Sequence, residues 1–99
     1  MVPVTPPILT ILGAKDTSVT DAANGVTCLA AEDKITDVSL CKVRNIGTDA
    51  VTITHGTVES GNGELLNAGE TFLFRPEVTP PFAICASGKS TTIRVIQYK

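Results

Sequence analysis

Few side chains in this sequence are of a type and spacing that could do chemistry. His55 is the single histidine. A histidine acting as a base needs a nucleophile within reach and a carboxylate to orient its ring. No local pattern supplies either, so His55 is expected to be a structural residue at a strand end. Cys28, Cys41 and Cys85 form no C-x-x-C pair; an odd number of separate thiols argues against a disulfide framework or a zinc site and for small buried hydrophobes. Ser87-Gly88-Lys89-Ser90-Thr91 has the composition of the tail of a phosphate-binding loop. The full pattern needs a glycine where Ala83 stands, and the stretch runs into a strand instead of the helix N-terminus that would cradle a phosphate. A hairpin turn is the expectation there. The acidic residues stand singly, without the paired carboxylates of a glycosidase or the alternating acids of a calcium loop. The expected protein is therefore not an enzyme, with no metal, no cofactor and no small-molecule substrate.

What would position any working residue is a β scaffold. Threonine, valine and isoleucine number 14, 10 and 8, about a third of the 99 residues. Their branched Cβ restricts χ1 and suits a pleated surface. Eight glycines and six prolines break the chain into short runs. Length allows one domain, and the pattern predicts an all-β fold, a small antiparallel β-sandwich of jelly-roll or immunoglobulin-like type. The formal charge is −2 and only 18% of residues are charged, so nothing tracks a phosphate backbone and nucleic acid is not an expected partner. No run approaches the roughly 20 apolar residues of a membrane span, so no membrane partner is expected. The first residues lack the basic start and apolar core of a secretory leader, and unpaired thiols fit assembly in a reducing cytoplasm.

In chain order, residues 1–7 carry Pro3, Pro6 and Pro7. Proline fixes φ and removes donors, which predicts an extended arm ahead of a single sandwich domain over 8–99. Ile8–Leu12 reads as a first strand, 13–17 as a turn, and Asn24-Gly25 as a second turn before a strand over 26–30. A polar loop follows at 31–34. The longest extended run is 35–46, with a bulge near Leu40 or both faces covered. Glu70–Arg75 places Phe72 and Phe74 on one face, Pro76–Pro81 is a proline-bounded loop, and 82–86 is a short strand. In the closing strand, residues 90–98, Ile93 and Val95 share one face; Ile96 and Tyr98 share the other with Thr92 and Arg94. A sandwich strand with one face in water should be polar there, so Ile96 and Tyr98 point to a second contact surface.

The clearest local signal is Cys41 to Thr54. Cys41 and Val43 alternate with Lys42 and Arg44, Val51 and Ile53 alternate with Thr52 and Thr54, and Asn45, Gly47 and Asp49 lie between. This predicts two paired strands joined by a tight polar turn.

The order of turn motifs carries a resemblance. Val43–Ile53 with its Asn45-Ile-Gly-Thr48 turn comes first, then Gly63-Glu-Leu-Leu-Asn-Ala-Gly-Glu-Thr-Phe72, then Phe82-Ala-Ile-Cys-Ala-Ser-Gly88, and last Thr92-Ile-Arg-Val95. Over about residues 41–97 the chain resembles a group of small all-β virion proteins of tailed bacteriophages. That resemblance implies a capsid decoration, or cement, protein: a homotrimer on the virion exterior, assembled in the host cytoplasm, that binds the major capsid protein and bridges neighbouring shell subunits. The interface expected from the arm, the proline loop and the closing strand comprises Val2, Pro3, Val4, Pro6, Pro7 and Ile8, then Pro76, Val78 and Pro80, and finally Ile96 and Tyr98. Two alternatives stay open: a tail, neck or fibre-base component of a virion, and a carbohydrate- or host-surface-binding module.

Overall fold

The computed structural model describes residues 10–22, 25–54, 63–75 and 80–99. They form eight strands: β1 (Ile11–Val19), β2 (Val26–Thr27), β3 (Leu40–Asn45), β4 (Val51–Thr54), β5 (Glu64–Leu66), β6 (Thr71–Phe74), β7 (Phe82–Ile84) and β8 (Thr91–Tyr98). Two four-stranded antiparallel sheets, in the orders β1-β8-β3-β6 and β2-β7-β4-β5, make a small β-sandwich. The pairs β1–β8, β2–β7, β3–β6 and β4–β5 nest inside one another, as though one long hairpin with its tip at β4–β5 had been rolled up. That strand order is a jelly roll and not the immunoglobulin-like alternative.

The alternation seen in the sequence sets the core. Along β8, Thr91, Ile93, Val95 and Gln97 are buried, while Thr92, Arg94, Ile96 and Tyr98 lie on the opposite face. Cys41 and Val43 of β3, Phe74 of β6 and Val19 of β1 meet Val51 and Ile53 of β4, Leu66 of β5 and Ala83 of β7 across the sandwich. All three thiols, Cys28, Cys41 and Cys85, are buried and unpaired with one another. They behave as the small hydrophobes expected, and burial pushes the Cys28 thiol up to about 12.

Three local expectations need correction. First, β3 and β4 are not a hairpin: they belong to different sheets, and residues 46–50 carry the chain between them. Asn45 explains the crossing. It is fully buried, and its amide nitrogen donates to the carbonyl oxygens of Asp49 (2.8 Å) and Leu66 (3.0 Å). Its oxygen accepts from Gly47 N–H (3.1 Å) and from the Thr91 hydroxyl (2.7 Å). All four hydrogen-bonding positions of the amide are filled, and they tie β3, the arch, β5 and β8 into one corner. The N–H groups of Ile46 and Gly47 both reach Thr92 O, which turns the chain away from β3's own plane. Gly47 must be glycine, since a Cβ there would run into Thr91 Oγ1 and the Thr92 nitrogen. Second, the turn at Ser87–Lys89, closed by Lys89 N–H to Ala86 O (2.9 Å), joins β7 and β8, which also lie in different sheets. Gly88 sits there at φ 78° and donates its N–H to Asp21 Oδ2 (2.8 Å). Third, residues 13–17 are not a turn but part of β1, which pairs with β8 up to Val19 and absorbs Leu12 in a bulge between Ile11 and Gly13.

The polar loop of the sequence is a single 3-10 turn, Ala31–Asp33. Buried Gln97 holds it over one end of the sandwich: Nε2 donates to Asp33 O (2.8 Å), and Oε1 accepts from Ile35 N–H (3.0 Å). Lys15 of β1 adds an exposed ion pair to Asp33 at 2.9 Å.

Candidate interaction surface

The surface that stands out is the outer face of the β1-β8-β3-β6 sheet. Strand register fixes which side chains share it, because residues directly opposite in neighbouring strands point the same way. Four rows cross it. The first is Ile11, Tyr98 and Leu40. Ala14, Ile96, Lys42 and Leu73 make the second, and Asp16, Arg94, Arg44 and Thr71 the third. The last begins with Ser18 and Thr92. The face therefore grades from apolar at the Ile11 end to charged at the Arg44 end.

Ile11 is 61% exposed and Leu73 56%, the two largest exposures among the large apolar side chains described. Both project from the sheet's edge strands, β1 and β6, with half-buried Ile96 between them on β8. The Lys42 ammonium lies 5.6 Å from the centroid of the Tyr98 ring, a cation–π contact that fixes both side chains along the boundary between the rows. An open hollow of about 660 Å3 lies over Ile11, Ala14, Asp16, Arg94 and Ile96.

The third row has an electrostatic order of its own. Asp16 accepts from Arg94 Nε (2.8 Å) and from Arg94 Nη2 (3.2 Å). This pairing holds the Asp16 carboxyl below its ordinary range and the Arg94 guanidinium above it. Arg44, opposite Arg94 on the other side, is exposed and has no counter-ion or hydrogen-bond partner among the described residues. Arg44 and Arg94 line a second hollow of about 580 Å3 with Ile46, Gly47, Ala68 and Gly69.

Of the residues singled out in the sequence, Ile96 and Tyr98 lie on this face. Pro80 is half-buried just ahead of β7, in the other sheet. Val2, Pro3, Val4, Pro6, Pro7, Ile8, Pro76, Val78 and His55 lie outside the described residues. Sequence reasoning missed Ile11, Ala14, Leu40 and Leu73. The signal for Leu73 was present: with Phe72 and Phe74 assigned to the core face, an apolar residue between them has to face outward.

Elsewhere, a cleft of about 490 Å3 opens between edge strands β1 and β2, with Val26, Leu29 and Val95 in its wall and Lys15, Glu32 and Asp33 around it. Among the described residues no group of three or more His, Cys, Asp or Glu side chains is placed to hold a metal ion. No protein-family model, curated protein or solved structure matches the chain.

Proposed function

We propose that this chain is a structural protein of a virion, a capsid decoration protein that seats the outer face of its β1-β8-β3-β6 sheet against the major capsid protein and bridges neighbouring shell subunits. The observation that carries the reading is the apolar end of that face. Ile11, Leu40, Leu73, Ile96 and Tyr98 come from all four strands of the sheet, converge on one side and are wholly or partly exposed. Apolar side chains gathered on a face that a free sandwich would leave polar are explained by a partner that covers them. Burial of such a patch supplies about 25 cal/mol per Å2 before the costs of association. A shell with many equivalent positions turns a modest single contact into high occupancy, the more so if the protein sits as trimers that engage several subunits together.

Two further points support the reading. The order of turn motifs resembles that of small phage virion proteins, and the jelly roll is an architecture used repeatedly by capsid domains. The second is an analogy of fold and carries less weight than the face. The same architecture hosts lectins, which stack sugar rings on exposed aromatics. Tyr98 is the only tyrosine of the chain and there is no tryptophan, and Lys42 already stands over the Tyr98 ring.

The test is reconstitution. Purified protein is added to expanded phage shells that lack decoration, and the particles are reconstructed by electron microscopy. Density clustered about local threefold positions, with the β1-β8-β3-β6 sheet toward the shell, supports the proposal. Density confined to the tail or neck, or none at all, rejects it.

A further inference from the structure

We infer that the outer face of the β1-β8-β3-β6 sheet is built for an acidic protein surface, with Arg44 receiving a carboxylate of the partner beside the Asp16–Arg94 ion pair while Leu73 and Ile96 take an apolar side chain next to it. The inference deepens the proposed function and, for its capsid arm, rests on it.

The strand residues on this face include Lys42, Arg44 and Arg94 against Asp16, a net +2, while the chain as a whole is −2. The rest of the sequence therefore carries −4, so this apolar-bearing face is positive in a chain that is negative overall. A second copy docked face to face would bring the same cations together, which is unfavourable. A complementary partner is acidic.

The arrangement of Arg44 points the same way. Like charges directly opposite in a sheet are destabilising, yet Arg44 faces Arg94 across β3–β8. Asp16 neutralises Arg94 from the far side and leaves the Arg44 guanidinium without a partner among the described residues. A planar guanidinium on a rigid central strand, beside a hollow floored by Gly47 and Gly69, can take both oxygens of a carboxylate. A polyanion such as nucleic acid would use the cations but leave Leu73 and Ile11 uncovered. An acidic protein surface uses both.

The experiment has two arms on the full chain. In the first, a short synthetic peptide alternating Leu and Glu is titrated into labelled protein and followed by NMR, with a Leu–Lys peptide and duplex DNA as competitors. The expected result is shifts at Arg44, Lys42 and Leu73 with the acidic peptide alone, and an affinity reduced about tenfold or more in Arg44→Glu. The Arg44→Glu variant keeps its fold, since a glutamate there pairs with Arg94; Lys89→Glu, in the β7–β8 turn, is the control and keeps wild-type affinity. Equal shifts with the basic peptide, tighter binding of DNA, or no shift on this face overturns the inference. In the second arm, wild type and Arg44→Glu are compared on undecorated shells. Wild-type binding with an equal occupancy by Arg44→Glu sinks the inference and leaves the capsid reading standing. No wild-type binding to shells, together with acidic-peptide shifts on the face, rejects the capsid reading and upholds the inference.

Discussion

Arg44 and Arg94 stand directly across from each other on β3 and β8, and among the described residues only Arg94 of the two has a counter-ion, Asp16. Within the sheet this is a like-charge contact, which works against the fold. Replacing Arg44 with threonine, which suits a strand and removes the like-charge contact, is expected to stabilise the isolated protein by about 0.5 kcal/mol. The same change is expected to weaken binding to shells. A higher urea midpoint together with lower occupancy marks a side chain kept for a partner; a lower midpoint would mean that Arg44 serves the fold.

Asn45 holds the corner where the chain leaves one sheet for the other. Asn45→Ala strands the Thr91 hydroxyl and the carbonyls of Asp49 and Leu66 in a buried site. Each unsatisfied group costs about 1–3 kcal/mol, so a loss of about 3 kcal/mol or more is expected in denaturant unfolding. Thr91→Val keeps the shape and removes a single hydroxyl, and is expected to cost clearly less.

Burial keeps the thiols protonated. Cys28 is raised to about 12, and Cys41 and Cys85 are also raised, each chiefly by desolvation. The sign follows from linkage: above the ordinary thiol value of 9.0 the unfolded chain loses protons that the fold retains, so stability falls as pH rises from about 9 toward 12. Below pH 9 these groups contribute no pH dependence. A thiol reagent at neutral pH is expected to leave all three unmodified in the native protein and to modify all three in denaturant; rapid native labelling of Cys28 would contradict its burial.

The Asp16–Arg94 pair sets how much charge the face presents. The Asp16 carboxyl is held below its usual 3.8 by the Arg94 hydrogen bond, so the pair is intact at neutral pH and its contribution is lost only as pH falls below that value. Asp16→Asn releases Arg94 and raises the face to a net +3. Binding to undecorated shells is expected to strengthen at low salt, and the gain over wild type to vanish as salt shortens the screening length to about 10 Å or less. Weaker binding at low salt would mean that Asp16 itself touches the partner.

The layering of this protein was legible from periodicity: β8 with Ile93 and Val95 inward, β6 with Phe72 and Phe74 inward, and three buried thiols. The partnering of strands was not. Asn45-Ile-Gly-Thr48 has the composition of a hairpin turn, and turn chemistry is the same whether the next strand pairs in plane or crosses to the other sheet. What decides is Asn45, whose amide bonds only make sense once Leu66 and Thr91, 21 and 46 residues away, are in place. β1 was obscured for a related reason. Gly13-Ala-Lys-Asp-Thr17 is turn-like by composition, but it follows a bulge and pairs residue by residue with β8. The outer face was half legible: Ile96 and Tyr98 announced it, Leu73 was implied by core-facing Phe72 and Phe74 on either side of it, and Ile11 and Leu40 joined it only through register.

The most direct test of the account is co-sedimentation of Leu73→Asp with undecorated shells. Leu73 is 56% exposed at an edge strand, and its replacement places a carboxylate opposite Lys42, so the unfolding free energy from urea denaturation is expected to stay within about 0.5 kcal/mol of wild type. The account predicts wild type in the pellet and Leu73→Asp left in the supernatant; a folded Leu73→Asp that pellets as fully as wild type would contradict it.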